Sequence, residues 1–269
     1  MIVLDERSLH LRRLILRGLI GGGRGHVGAS FSLVEIFRVL YDDILRFDAK
    51  NPEWQLRDRC ILSKGHGCLA LYAVLADKGF FPKNELDTFC RQHSILGGHP
   101  EIKTPGVEFS TGALGHGLSI SVGMALAAKM QQRNTRLFVI CGDGEINEGS
   151  IWEAAMSAAK HRLSNLTVLI DYNKIQSYGT TKEVLDLEPL VDKWRSFGFA
   201  TQEVGGHDVA ALKAVLSKLP QNIHKPNAII CHTIKGKGFE EAEHNPLWHH
   251  KSKFTEEEVR KISEALGEV

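Results

Sequence analysis

The sequence predicts an α/β fold, a mostly parallel β-sheet flanked by helices. From residue 136 onward, short β-branched segments alternate with segments whose apolar residues recur at helical spacing. The connections between them are short, and strand–helix–strand repetition of this kind is typical of a right-handed, largely parallel sheet. Four strands are predicted, in segments 136–141, 165–172, 199–204 and 227–234.

The residues before 136 are predicted to be mainly helical. A first helix ends near Leu19, where GGGRGHVGAS interrupts the pattern. A second, FSLVEIFRVLY, is expected to begin at a capping box of Ser32 and Glu35. A third, GCLALYAVLADKG, ends with Gly79 at the C′ position. A fourth, ALGHGLSISVGMALAAKM, is rich in small residues, which predicts a buried helix in close contact with a neighbouring helix or a cofactor.

The predicted helices after residue 136 lie between and after the strands. They are IWEAAMSAAKHR with a capping box of Ser150 and Glu153, LVDKWRSFG with Pro189 at N1, DVAALKAVLSKL, and a final helix capped by Thr255 and Glu258. The sequence has no internal repeat, low-complexity tract or clear linker. We therefore expect a single domain over residues 1–269, with helical extensions at both ends.

Composition and charge indicate a soluble, cytoplasmic protein. Of the 269 residues, 43% are hydrophobic and 24% are charged, and the net charge of +1 gives no reason to expect nucleic acid or an anionic membrane as partner. Charges interrupt every apolar stretch of the N-terminal segment, which is not typical of a signal peptide, and no apolar run is long enough to span a bilayer. The five scattered cysteines are expected to be reduced thiols, with neither a disulfide framework nor a zinc site.

Polar residues directly follow two neighbouring predicted strands. Asp143 follows segment 136–141 and Asn173 follows segment 165–172. Ligands bind beyond the carboxyl ends of such strands, where these oxygens, with the Ile175 carbonyl, could converge on Mg²⁺. The helix after Ser150 would direct its N-terminal amides to phosphate at the same place. This pattern describes a magnesium–diphosphate site, although Asp and Asn also commonly form turns after strands.

Histidine directly follows glycine at five positions. A glycine leaves an open approach to the imidazole, which can bind phosphate or sugar hydroxyls and transfer protons near neutral pH. A solvated loop histidine is the alternative at each position. The five are His26, His66, His99, His116 and His207.

Competing motifs are missing from the sequence. GGGRGH lacks the ending of a P-loop, and neither Gly-x-Ser-x-Gly nor His-Glu-x-x-His occurs. KGKG at 235–238 could meet phosphate, but a basic loop is a weak signal.

The segment GDGEINEGSIWEAAMSAAKHRLSNLTVLIDYNKIQ resembles the thiamine-diphosphate motif, Gly-Asp-Gly followed after about thirty residues by asparagine. Its Glu-Gly-x-x-Trp-Glu-Ala continuation is similar to the transketolase family in particular. Further motifs that resemble this family occur in family order over nearly the whole chain: GRGHVGAS, LSKGHG, GGHPE, STGALGHGLSISVGMALA, HTIKGKG and NPLWHH.

The resemblance implies a diphosphate-binding domain of the thiamine-diphosphate fold and a role for each matching residue. Mg²⁺ would be held by Asp143, Asn173 and the Ile175 carbonyl. Thiamine diphosphate would contact His66 and His249 at the diphosphate, Gly142 and Gly144 at the phosphates, and Gly112 and Leu114 at the aminopyrimidine. His26 and His99 would bind sugar hydroxyls and aid proton transfer, and Glu148 would be the subunit contact.

Two departures from the family pattern affect these roles. His116 stands where many relatives have glutamine, and the WHH sequence means that His250 could share the role of His249. Within the acidic cluster after Asp143, Glu145 is expected to be a solvated neighbour.

The family's pyrimidine-binding domain, with the glutamate that activates the cofactor, has no counterpart in this sequence. The resemblance therefore implies one half of a split transketolase, which forms an α2β2 assembly with a C-terminal subunit. The enzyme would move a two-carbon ketol unit from a ketose to an aldose, and the ketose is expected to be phosphorylated. The groups that bind the substrate's anionic tail are expected mainly on the partner. Two alternatives remain: a subunit of a 2-oxo acid dehydrogenase E1, although GRGHVGAS and GGHPE favour transketolase, and a non-catalytic scaffold of the same fold.

Overall fold

The computed structural model describes residues 4–177, 179–249 and 251–268. Within these residues the chain forms ten α-helices and seven β-strands. The helices are α1 (Glu6–Gly22), α2 (Val27–Phe31), α3 (Val34–Val39), α4 (Cys68–Asp77), α5 (His116–Met130), α6 (Gly149–Lys160), α7 (Thr181–Val184), α8 (Leu190–Ser196), α9 (Val209–Leu216) and α10 (Glu256–Ala265). The strands are β1 (Arg59–Leu62), β2 (Leu137–Gly142), β3 (Leu166–Tyr172), β4 (Ile175–Gln176), β5 (Gly179–Thr180), β6 (Ala200–Gly205) and β7 (Asn227–His232).

Five of these strands form the central sheet, in the order β1-β2-β3-β7-β6, and every neighbouring pair is parallel. The predicted parallel sheet with flanking helices is therefore confirmed, as are its four predicted strands. The edge strand β1 was not predicted, because a strand of four residues is too short to show a periodicity. The pair β4–β5 forms a separate antiparallel ribbon.

Alternate residues of the sheet enter two different hydrophobic clusters. In β2, Phe138 and Ile140 belong to a cluster with residues of α1, α3 and α4, whereas Val139 and Cys141 belong to a cluster with residues of α5, α6 and α8. Successive side chains of a strand point to opposite faces, so helices cover both faces of the sheet. In the part of the chain that the structure describes, no helix is long and apolar enough to span a membrane.

Three predicted helix boundaries can be compared with the structure. The helix α1 continues through Gly22 and ends at Gly23, whose φ of 62° is the left-handed conformation of a C-terminal glycine cap. The end predicted near Leu19 was therefore too early. Pro189 lies at the N-cap of α8 and not at N1. Gly79 follows the end of α4 with φ 82°, as predicted for C′.

Two of the three predicted capping boxes are wrong, because their serines bond elsewhere. Ser32 Oγ donates to Asp171 Oδ2 at 2.7 Å, and the next helix begins at Val34. Ser150 Oγ donates to the Gly115 carbonyl at 2.9 Å from inside α6. The capping box of Thr255 and Glu258 is confirmed.

Helix α5 is buried on one side only, so the prediction of a buried helix was half right. Its buried side packs against α6 and includes Leu118, Val122 and Ala125, whereas Ser119, Gly123 and Ala127 are exposed. The small residues therefore occur on both sides of the helix.

Candidate active site

The register of the parallel sheet brings Asp143 and Asn173 to the same edge. Strands β2 and β3 are hydrogen-bonded neighbours, with Gly142 opposite Asp171, and the two candidate ligands follow their carboxyl ends. Both side chains are buried, and both line one cavity of about 90 Å³ together with Ile175. We call this cavity the inner cavity.

Backbone amides hold the oxygens of this edge in place. Asp143 accepts hydrogen bonds from the amides of Gly144 (2.7 Å) and Lys174 (2.5 Å), and Asn173 Oδ1 accepts one from the Ile175 amide at 3.2 Å. Burial, reinforced by the neighbouring Asp171 carboxylate, raises the pKa of Asp143 to about 6. A cation at this edge would offset that penalty.

Cationic and imidazole groups also line the inner cavity. Lys235 Nζ donates to the Ile175 carbonyl at 3.0 Å and lies 2.5 Å from His249 Nδ1. The ring of His66 is 6.1 Å from that of His249, centroid to centroid. Lys64 also lines the cavity. Two buried lysines beside two half-buried imidazoles favour an anion.

Mutual repulsion and burial affect the protonation of these basic groups. Burial and the nearby Lys64 lower the pKa of Lys235 to about 7. Burial, followed by the charges of Lys64 and Lys235, holds the pKa of His66 well below its usual value. An anion among these groups would favour their protonated forms.

The fully buried Asp171 connects four segments behind the inner cavity. Its Oδ2 accepts from Lys64 Nζ at 2.5 Å and from Ser32 and Asn173, and its Oδ1 accepts from Thr233 Oγ1. Burial opposes the charged carboxylate, but Lys64 and the hydroxyl donors outweigh it and lower the pKa of Asp171. The carboxylate therefore fixes the turn after β1, the end of α2 and the end of β7 relative to β3.

A second cavity, of about 650 Å³, lies against His26, His66 and His99. We call it the outer cavity. His66 lines both cavities, and its ring centroid is 6.1 Å from that of His26. Three of the five glycine–histidine pairs therefore meet at one place.

Gly112 lies in close contact with His99. A Cβ atom at Gly112 would lie 2.9 Å from His99 Cδ2, and its φ of +139° is a conformation that L side chains rarely adopt. Gly112 is therefore next to His99 and outside the inner cavity. The other candidate residues near the aminopyrimidine and phosphates, Leu114, Gly142 and Gly144, line the inner cavity.

Two predictions about the remaining glycine–histidine pairs and carboxylates are wrong. His207 is buried and bonds Glu35 at 2.6 Å and the Ile234 amide at 2.8 Å, so it is not an accessible loop imidazole. Glu145 is buried rather than solvated, since it accepts from Ser63 Oγ and from the amides of Gly115 and Gly142 at 3.0 and 2.9 Å.

The structure leaves other candidate residues outside the two cavities. Glu148 and His116 are exposed, beside Gly115. No residue of α6 lines the inner cavity, so the predicted phosphate contact of its N-terminal amides is not supported. His250, the alternative to His249, lies outside the described residues.

Sequence reasoning missed Lys64 and gave little weight to Lys235. Lys64 follows the unpredicted strand β1, and Lys235 belongs to the KGKG loop. Both are almost fully buried, at 1% exposure. The signal that could have found them was a lysine shortly after an apolar segment of a parallel sheet, where side chains face the ligand edge.

Comparisons with known proteins agree with this arrangement. Residues 9–268 match the family model described as transketolase, thiamine diphosphate binding domain. The chain is 44% identical over 257 residues to the 6-deoxy-6-sulfo-D-fructose transketolase subunit of a Clostridium species, which covers 95% of this chain and 93% of that protein. It is 43% identical over 266 residues to one of the subunits of the apulose-4-phosphate transketolase of Phocaeicola vulgatus, covering 98% of this chain and 95% of that protein.

A solved structure extends the likeness to the fold. Transketolase from Campylobacter jejuni superposes with a TM-score of 0.87 at 32% identity, over 98% of this chain and 43% of that one. This chain thus spans less than half the length of that transketolase. Family match, relatives and fold agree that the chain belongs to the transketolase family, as its thiamine diphosphate binding domain.

Proposed function

We propose that the chain is the diphosphate-binding subunit of a split transketolase that depends on thiamine diphosphate and Mg²⁺. The observation that supports this most directly is the inner cavity, which is lined both by Asp143, Asn173 and Ile175 and by the basic residues Lys235 and His249. A diphosphate that carries a divalent cation needs both kinds of group.

The donor set fits the metal. One carboxylate, one amide oxygen and one backbone carbonyl are hard oxygen ligands of the type that Mg²⁺ takes alongside phosphates and water. The Ile175 carbonyl already accepts a hydrogen bond from the ammonium group of Lys235. Asp143, Asn173 and Ile175 would hold Mg²⁺, whereas His66, Lys235 and His249 would contact the diphosphate.

Bound thiamine diphosphate would supply the carbon nucleophile for ketol transfer. The chain's own residues would orient the sugar: His26 and His99, in the outer cavity, bind its hydroxyls and accept or return their protons. Gly112 lets His99 approach closely. Leu114, Gly142 and Gly144 would shape the space next to the cofactor.

The substrate is proposed to be a ketose with an acidic tail. The relatives just described are named for 6-deoxy-6-sulfo-D-fructose and for apulose 4-phosphate, and both names denote sugars that carry an acid group. An aldose would accept the two-carbon unit, and the product would be that sugar extended by two carbons.

The partner is proposed to be a separate chain that supplies the pyrimidine-binding domain, in an α2β2 assembly. The two relatives are named as subunits, and transketolase of C. jejuni is more than twice as long as this chain. Glu148 and the exposed side of α5 would lie at a subunit contact. We further propose that residues 1–269 act as one diphosphate-binding domain in the cytoplasm; the five cysteines are free thiols, which suits a reducing compartment.

Reconstitution with the partner subunit tests the proposal. Ketol transfer is expected from the pair, and neither of the two chains should show it by itself. The Asp143→Ala variant should lose Mg²⁺-dependent binding of thiamine diphosphate, measured by calorimetry, whereas Asp192→Ala, at an exposed carboxylate, should not.

Other outcomes would redirect the assignment. Release of CO₂ from 2-oxo acids by the pair would indicate an E1-type dehydrogenase. Full activity of this chain alone would exclude the split arrangement, and unchanged activity of Asp143→Ala would favour a scaffold role.

A further inference from the structure

The outer cavity contains more cationic groups than hydroxyl recognition needs. Beside its histidines it is lined by Arg24, Arg91 and Lys103, and by one carboxylate, that of Glu101. Lys103 and Glu101 form an ion pair at 2.8 Å. Arg24 and Arg91 are therefore the arginines of the lining whose charge this ion pair does not balance.

Eleven of the fifteen arginines form ion pairs within the described residues, and Arg24, Arg91, Arg133 and Arg162 do not. Within α1, Arg12 pairs with Glu35, Arg13 with Glu6, and Arg17 with Asp87, and Arg7 pairs with acids of neighbouring segments. Arg24 and Arg91 form no ion pair with any carboxylate among the described residues 4–177, 179–249 and 251–268. Of the four unpaired arginines, Arg24 and Arg91 line the outer cavity, whereas Arg133 and Arg162 do not.

The end of α1, which precedes Arg24, packs closely against the loop at Asp87 to Arg91. A Cβ atom at Gly21 would lie 2.6 Å from the backbone of Asp87, and one at Gly22 would lie 2.7 Å from the Phe89 carbonyl oxygen. Since such distances are too short for real side chains, the two glycines are needed for this contact. The helix end and the loop at Asp87 to Arg91 are therefore pressed together.

The residues on either side of Arg24 are also sterically constrained. Gly23 is the left-handed cap of α1, and Gly25 has φ +153° with Leu69 only 2.7 Å from where its Cβ would be. The Gly25 amide donates to the Ser252 carbonyl at 2.9 Å. Arg24 is thus the one residue of the run GGGRG that has a side chain, on a backbone fixed on both sides.

Arg91 is attached to the same junction. Its Nε donates to the Gly21 carbonyl at 2.8 Å, and its amide and carbonyl bond Thr88 and Ser94 at 2.8 and 3.1 Å. Its Nη nitrogens make no hydrogen bond to another described residue. Arg24 lies close enough to Cys90, the preceding residue, to act electrostatically on its thiol. Both arginines therefore line the outer cavity from the two segments that meet at the end of α1.

We propose that Arg24 and Arg91 form an anion subsite for the acidic tail of the sugar, a phosphate or sulfonate group. The inference rests on the proposed ketol transfer and adds that this chain, as well as the partner subunit, selects for the charge of the tail. A guanidinium group offers a fork of N–H donors that matches tetrahedral oxyanions, and it stays charged at every physiological pH.

The test compares three ketoses in the complex of this chain with its partner subunit, thiamine diphosphate and Mg²⁺. D-fructose 6-phosphate and 6-deoxy-6-sulfo-D-fructose carry different acidic tails, and D-fructose carries none. The variants Arg24→Gln and Arg91→Gln are expected to raise KM for at least one acidic ketose about ten-fold or more, with D-fructose unchanged, because each removes charge-assisted hydrogen bonds. The acidic ketose that responds identifies the tail.

Two further variants separate charge from folding. Arg24→Lys keeps the charge and should recover part of the lost selectivity, whereas Arg24→Glu should lose more than Arg24→Gln. Arg133→Gln is the matched control, since Arg133 also has no ion pair within the described residues, lies before the start of β2, bonds Gln55 and does not line the outer cavity. It should leave all three KM values unchanged.

Each alternative result has a distinct reading. An equal rise of KM for D-fructose and the acidic ketoses, or no rise for either acidic ketose, would overturn the subsite. If the wild-type complex transfers no ketol unit from any of the three sugars, the proposed function itself fails, and the subsite fails with it.

Discussion

The two cavities are built in different ways. The inner cavity is bounded by buried side chains at the ends of paired strands, such as Asp143 and Asn173, and behind it Asp171 holds four segments together. The outer cavity lies between loops and is bounded by exposed residues such as Arg24 and His99. A buried charge needs partners, so the charged residues of the inner cavity are stable only together. In the outer cavity, by contrast, single residues can be substituted without leaving a buried charge unpaired.

The largest expected effect would test the claim that the inner cavity depends on its set of charges. Asp171→Asn leaves Lys64 buried without its carboxylate, and breaking a buried pair costs about 3–5 kcal/mol. Denaturant unfolding of the isolated chain should show that loss, and calorimetry should show loss of thiamine diphosphate binding. Asp192→Asn, at an exposed pair with Arg195, is the control and should change stability by less than about 1 kcal/mol. Equal stability of the two variants would contradict the comparison.

The second largest effect is expected in the pH dependence of the unfolding free energy. It concerns the hydrogen-bond network of Glu35, which bonds the segment before Lys235 through His207. Glu35 is bonded by Arg12 and His207; burial opposes its charge, but Arg12 and His207 outweigh burial and lower its pKa to about 2. A carboxyl with a lowered pKa stabilises the fold above its unfolded pKa of about 4.5 and loses that contribution as the pH falls through 2. The wild type should therefore lose about 3 kcal/mol of unfolding free energy over this range.

The control for this acid sensitivity is Glu35→Gln, which has no such titration. Its unfolding free energy, measured by denaturant from pH 6 to pH 2, should lack this component. Parallel curves for the two proteins would show that other carboxylates dominate acid unfolding.

A smaller effect on stability and activity is expected at Gly112, whose backbone lies close to His99 of the outer cavity. Gly112→Ala places a methyl group 2.9 Å from His99 in an unfavourable conformation, which costs about 1–3 kcal/mol of stability. Ketol transfer by the reconstituted pair should fall about ten-fold or more, because His99 must move, while cofactor binding is retained. Gly205→Ala meets its neighbour at an ordinary 3.6 Å and should leave ketol transfer unchanged. Loss of cofactor binding in Gly112→Ala would assign Gly112 to the inner cavity instead.

The smallest effect is expected at the ion pair of Lys103 and Glu101. Both side chains are about half exposed, and exposed pairs contribute only about 0–1 kcal/mol. Lys103→Met should change the thermal midpoint by no more than a few degrees. A larger drop would mean that the outer cavity also depends on paired charges.

The same contrast explains what could be predicted from the sequence. The convergence of Asp143 and Asn173 follows from two strands with strong β patterns and from the parallel pairing they imply. Lys64 could not be placed because β1 has only four residues. The role of Asp171 does not follow from the sequence, since its partners Ser32 and Lys64 are 139 and 107 positions away in the chain.

Local patterns failed where distant side chains compete for them. Ser32 and Glu35 form a capping-box pattern, but Asp171 binds the serine, and Arg12 and His207 bind the glutamate. A buried carboxylate with strong partners outweighs a cap, which is worth about 1 kcal/mol. The Gly-His pattern at His207 failed for the same reason.

The position of His66 has a consequence for the entropy of binding. This residue lies in the turn Gly65–Gly67, directly before α4, whose residues from Cys68 to Ala76 are all buried. A side chain on such an anchored segment has little freedom left to lose when a ligand arrives. The shared imidazole of the two cavities is therefore preorganised, and amide hydrogen exchange in α4 should be slow before the cofactor binds and change little afterwards.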